Sequence, residues 1–148
     1  MLLAIIHAPA ERKLSARLTK LFTGSTAYHC GFVDEATSTF YDMSWLPRKT
    51  HWPRYNPPKW VNLYPVPNLT AEHCEEYLKR DSHIKYGVMD YVLFGLRPIY
   101  HLFGKSTRNA GGWICSEMCA EWLRRVGYDA PVEPVPSPAD LEMWAKDR

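Results

Sequence analysis

Cys115 stands in the run Gly111-Gly112-Trp113-Ile114-Cys115-Ser116-Glu117 and opens a segment that places Met118, Cys119, Trp122, Leu123 and Val126 on one helical face. A thiol in the first turn of a helix feels the positive end of the helix dipole and nearby unpaired N–H groups. Both favour the thiolate, and the same N–H groups suit the oxyanion of acyl transfer. The preceding glycines would let a substrate backbone approach closely. Position alone does not decide the matter, because a cysteine on an apolar helix face is equally well a small core residue.

A nucleophile of this kind needs a base. His29 lies in Ala27-Tyr28-His29-Cys30-Gly31-Phe32-Val33, which has strand composition, and Asp42 lies on the returning strand Thr39 to Met43. Across such a hairpin a carboxylate can sit beside the imidazole and orient it. Taken singly, a strand histidine is more often structural and a strand aspartate more often solvated.

The other thiols have plainer readings. Cys119 lies one turn deeper, where the dipole has faded, and Cys74 shares an apolar face with Tyr77 and Leu78, so both read as core. Cys30 alternates with His29, which sends the two side chains to opposite faces and excludes a dyad between them. His29, Cys30, His73, Cys74, Cys115 and Cys119 supply only half a zinc pattern, in Cys115-x3-Cys119. No metal and no cofactor are expected.

These segments together resemble a known group. Thr23-Gly24-Ser25-Thr26-Ala27-Tyr28-His29-Cys30-Gly31-Phe32-Val33 is similar to the histidine segment of the circularly permuted NlpC/P60 hydrolases, the papain-like group that includes YiiX/YaeF-type and LRAT-like proteins. Tyr28 stands where that segment usually has serine, and Cys30 where it usually has valine. Trp113-Ile114-Cys115-Ser116-Glu117-Met118-Cys119 resembles the group's nucleophile helix, and Pro136-Ser137-Pro138-Ala139-Asp140-Leu141 its closing segment. The likeness covers roughly residues 2–43 and 86–141. It implies an α+β, papain-like fold with a small antiparallel sheet packed against the helix that carries the cysteine. It also implies a Cys115–His29–Asp42 hydrolase forming an acyl-enzyme on a peptide, isopeptide or peptidoglycan-type amide. Lipid or thioester acyl hydrolysis or transfer is the alternative within enzymes, and a non-catalytic binding module of the same fold the alternative outside them.

The elements that must position these residues follow from pattern. Leu2 to Ile6 reads as a buried strand, and Leu14, Leu18, Leu21 and Phe22 as one face of a helix. Thr70 can cap a helix to about Arg80, with Leu69 and Cys74 as a hydrophobic staple. Tyr86 to Leu96 suits a helix, Ser106 to Gly112 a loop, and Ser137-Pro138-Ala139-Asp140 the start of a last helix. From Trp45 to Pro67 the chain holds six of its twelve prolines and three of its six tryptophans, with no acidic residue. That density predicts an insert running as a loop until about Val61. Its rings would either pack on the sheet or border the substrate, with Arg48, Lys49, Arg54 and Lys59 drawing negative charge. Single-stranded nucleic acid would use similar residues, but no patterned basic face supports it.

The 148 residues, 46% hydrophobic with net charge +2, suit one domain spanning 1–148. The apolar start ends at His7 without a basic lead, and no run approaches a membrane span, so a cytoplasmic protein with reduced thiols is expected. A missing export signal argues against a self-exported wall hydrolase, although a phage- or prophage-encoded enzyme reaches the wall without one.

Overall fold

The structure, a computed structural model, describes residues 1–7, 25–52, 60–87, 112–131 and 135–148. Within these the chain is α+β. Strands β1 (Leu2–His7), β2 (Ala27–Asp34), β3 (Thr39–Met43), β4 (Pro47–His51) and β5 (Val61–Pro65) form one antiparallel sheet in the order β4-β3-β2-β1-β5. Helices α1 (Ala71–Arg80), α2 (Cys115–Arg125) and α3 (Pro138–Lys146) complete it. No helix among the described residues is long and apolar enough to cross a membrane.

Strand alternation divides the sheet into two faces. Leu3, Ile5, Cys30, Phe32, Tyr41 and Met43 form the main core with Cys74 and Tyr77 of α1, Met118, Cys119, Trp122 and Leu123 of α2, and Leu141 of α3. The Trp122 ring stacks on Phe32 at 6.0 Å, and its indole N–H donates to buried Asp81, which also takes a hydrogen bond from Arg125. The opposite face carries a smaller cluster of Ala4, Ile6, Val33 and Phe40, flanked by Tyr28 and Trp52.

The hairpin, the three helix starts and the buried first strand lie where the pattern puts them. The β2–β3 turn is pinned by the Asp34 carboxylate, which accepts from Ala36 N–H and Thr37 O–H, while Ser38 takes the left-handed backbone (φ 52°). Thr70 caps α1, although residue N3 of its capping box is His73. Ser137 and Asp140 form the reciprocal box of α3 around Pro138.

One expectation is corrected. The stretch from Trp45 does not run as a loop to Val61, because Pro47 to His51 pairs with β3 as an edge strand. Pro47 begins that strand, where a missing N–H costs little, so prolines that exclude a central strand leave an edge strand open. The expected helix at Leu14 to Phe22, most of that expected from Tyr86 to Leu96, and residues 53–59 of the insert lie outside the described residues.

Candidate active site

Register explains how β2 and β3 bring His29 and Asp42 together. Gly31 pairs directly with Asp42, so His29, two residues along, shares the strand parity of the carboxylate. His29 Nε2 lies 2.9 Å from Asp42 Oδ2. A Cβ at position 31 would lie 2.4 Å from the Tyr41 carbonyl oxygen and 2.6 Å from the Phe40 ring, so glycine is required there. The Phe40 ring, accommodated over Gly31, meets the His29 ring edge-on at 6.2 Å.

Asp42 is wholly buried, and its charge is shared with a residue of the new edge strand. Arg48, directly opposite Asp42 on β4, donates Nε–H to Oδ1 at 2.8 Å and Nη2–H to Oδ2 at 3.1 Å. Burial would raise the Asp42 pKa, but hydrogen bonds and charge from His29 and Arg48 outweigh it and hold the carboxyl at about 2. Because Asp42 is then ionised, Nε2 must be the protonated nitrogen that donates to it. That leaves Nδ1 as the basic side of the imidazole.

Cys115 is the first residue of α2. Glu117 caps the helix from within, its carboxylate accepting Ile114 N–H at 2.9 Å, and the first helical hydrogen bond is Met118 N–H to the Ile114 carbonyl. The amides of Cys115 and Ser116 therefore come ahead of the helical ladder. Just upstream, Trp113 is bracketed by residues 85–87, its N–H donating to Lys85 and its carbonyl accepting from Gly87. A Cβ on Gly112 would stand 2.6 Å from Gly87 Cα, so this glycine admits the chain's own backbone, not a substrate as expected. Gly111 lies outside the described residues.

Cys115 and His29 lie near enough for each to act on the other's pKa, a thiolate raising that of the imidazole and His29 lowering that of the thiol. Cys30 acts on the same thiol in the opposite sense and raises its pKa, so two successive residues of β2 influence one sulfur. Alternation gives Cys30 to the face covered by α2 and His29 to the other. However, register slips between Ile6–His29 and His7–Ala27, leaving Tyr28 as an extra, bulged residue. A bulge bends its strand and re-aims the neighbouring side chains.

The thiol's electrostatics also differ from expectation. Neighbouring Cys30 and burial push the Cys115 pKa well above the ordinary range, and His29 pulls it down only in part. Burial lowers the His29 pKa, but a Cys115 anion and Asp42 outweigh it and lift the value to about 9. The causes that raise the Cys115 pKa persist whatever the charge on His29, whereas the rise at His29 draws on both the thiolate and Asp42. The imidazole therefore gains basicity as the sulfur loses its proton.

The remaining candidates separate cleanly. Cys119 and Cys74 are fully buried with pKa values raised by desolvation, Cys74 to about 12. Among the described residues no three His, Cys, Asp or Glu side chains are grouped to hold a metal ion. Arg48 is committed to Asp42 and Lys49 to Glu75, so two of the four cations expected to draw negative charge already serve internal partners. A cleft of about 850 Å³ lies between α1, β4 and the β2–β3 turn, lined by Asp34, Tyr41, Lys49, Glu75 and Lys79, but Cys115 and His29 are not among its lining residues. Trp45, 74% exposed, rests edge-on against Tyr86, which bridges to Trp113 beside the α2 start. No protein-family model, curated protein or solved structure matches the chain.

Proposed function

We propose that the chain is a cysteine hydrolase of papain-like, permuted NlpC/P60 type that cleaves an amide bond in a peptide, isopeptide or peptidoglycan-type substrate. The observation that supports this best is the series of side-chain contacts His29–Asp42–Arg48 beside Cys115, which opens a helix and whose pKa His29 lowers. His29 Nδ1 takes the thiol proton as the sulfur attacks the carbonyl carbon, so the raised resting pKa of Cys115 calls for general-base activation and not a standing thiolate. The amides of Cys115 and Ser116 are placed to hold the oxyanion. The imidazolium passes its proton to the departing amine, and the acyl-enzyme then yields to water deprotonated by His29. Asp42, kept ionised by Arg48, fixes the tautomer throughout.

A second reading, acyl transfer from a lipid or thioester, draws on Trp45 and Leu46, 74% and 45% exposed on the turn that borders the α2 start. Labelling with a panel of peptidyl and fatty-acyl electrophiles tests both. Peptidyl probes that modify Cys115 in the native chain, and fail on Cys115→Ala, support the amidase. Preferential labelling by fatty-acyl probes supports the second reading, and no labelling of Cys115 by any probe returns the protein to a binding module.

A further inference from the structure

The bulge in β2 also places an aromatic ring. Pairing with β1 steps from Ile6–His29 to His7–Ala27 and passes over Tyr28. The Tyr28 ring lies partly buried against Ala4, Ile6, Val33 and Phe40, its centroid 6.2 Å from that of His29 and the planes 32° apart. Phe40 meets the same imidazole at 6.2 Å and 68°, and Trp52, just past β4, meets Phe40 at 5.3 Å. His29 is thus an inner member of a chain of ring contacts, Trp52–Phe40–His29–Tyr28. Aromatic pairs with centroids about 4.5–7 Å apart attract beyond the area they bury.

We propose that Tyr28 is a positioning residue for the reaction at Cys115, its ring bracing the His29 imidazole in the orientation the reaction needs. The proposal rests on reading His29 as the base of Cys115. The two imidazole nitrogens then have different tasks, Nε2 donating to Asp42 and Nδ1 taking the thiol proton. The torsion about the histidine Cβ–Cγ bond is broad, so one hydrogen bond leaves the ring free to rock. Rocking lengthens the Asp42 contact and swings Nδ1 away from the thiol. A second aromatic ring packed beside the imidazole narrows that motion.

Tyr28 is also the member of the chain that can be changed alone. Phe40 is fully buried and seated over Gly31, where no Cβ fits, so its loss would disturb the β2–β3 pairing. Tyr28 stands outside the β1 ladder and is only partly buried. Its phenol stays uncharged, because burial and a Cys115 thiolate raise its pKa. Its contribution is therefore that of a neutral ring and an O–H, and Tyr28→Phe separates the two. Tyr28 stands where the similar histidine segments usually have serine, so a ring at this place is a feature of this chain.

The test compares the unsubstituted chain with Tyr28→Phe, which keeps the ring, and Tyr28→Leu, which keeps apolar packing without one. Denaturant midpoints establish that each is read in its folded state. Nitrogen NMR of the histidine rings follows the His29 Nε2–H, and iodoacetamide labelling mapped by mass spectrometry gives the pH midpoint of Cys115. Tyr28→Phe should match the unsubstituted chain in both. Tyr28→Leu should speed exchange of the Nε2–H with water by about three- to tenfold, the worth of one aromatic pair. Its Cys115 midpoint should move upward, toward that of His29→Ala. If His29→Ala moves the midpoint while Tyr28→Leu changes neither readout, Tyr28 has no positioning role and the base reading stands. Equal effects in Tyr28→Phe and Tyr28→Leu would assign the role to the hydroxyl and overturn the ring's part. A Cys115 midpoint that His29→Ala leaves unmoved overturns the base reading and the proposal with it.

Discussion

Arg48 holds both carboxylate oxygens of Asp42 from the paired position of the neighbouring strand, with contacts of 2.8 and 3.1 Å, while Asp42 Oδ2 also receives His29. The arginine is therefore a positioning residue. It keeps a fully buried carboxylate charged, and the charged carboxylate sets which imidazole nitrogen is basic. Arg48→Met should lower turnover and cost about 1–3 kcal/mol of stability for an acceptor left short of a donor, towards the lower end because water reaches the exposed side of Arg48. Arg48→Lys should recover stability better than rate, since an ammonium cannot form the two-pronged contact. Equal rates for all three proteins would remove Arg48 from the site.

The same contact gives a pH signature. The Asp42 pKa falls from 3.8 to about 2 on folding, so its contribution to stability is complete above about 4 and is lost as pH drops through about 2. Arg48→Met removes part of that depression and should move the acid loss of stability to higher pH. Denaturant midpoints measured between pH 2 and 5 would show it, and superimposable acid profiles would contradict it.

Cys30 should govern the acidity of the nucleophile. The iodoacetamide rate of Cys115 should titrate above the ~8.5 of a free cysteine, shift downward in Cys30→Ala, and shift upward in His29→Ala. These signs follow from contacts that respectively raise and lower the thiol pKa. A depressed pKa in the unsubstituted chain would mean that the helix terminus outweighs burial and Cys30. Cys115→Ala should cost at least about a thousandfold in turnover, whereas Cys119→Ala should cost mainly stability.

What the sequence discloses here is local. The His29–Asp42 hairpin was legible because alternation and a turn fix which residues face each other, and the starts of α1 and α3 because caps bond within four residues. Arg48 was hidden because Pro47 and its neighbours read as loop, and an edge strand declares itself only through the partner it finds. The bulge at Tyr28 was hidden for the same reason, since it is a property of the pairing with β1. Gly112 was legible as a place where backbone approaches closely, but what approaches it, the backbone of Gly87, comes from a distant segment.

The two glycines that flank α2 offer the sharpest separation of stability from function. Gly127 follows the helix in left-handed backbone (φ 88°) and closes it with a pair of bonds, Gly127 N–H to Arg124 and Tyr128 N–H to Leu123. That is the Schellman arrangement, and a Cβ there meets nothing within 4 Å. Gly127→Ala should therefore cost only the backbone strain, about 1 kcal/mol, with turnover unchanged. At Gly112 an added Cβ meets three backbone atoms, Gly87 Cα and N and the Lys85 carbonyl oxygen, at 2.6, 2.8 and 2.9 Å. Backbone cannot swing aside as a side chain can, so the two segments must part. Trp113, held by both of them, and Cys115, two residues on, would move with the separation. Gly112→Ala should thus lose about 1–3 kcal/mol and, in the molecules that remain folded, lower turnover and slow Cys115 alkylation. Full activity per folded molecule in Gly112→Ala would show that the tether to residues 85–87 does not position the nucleophile.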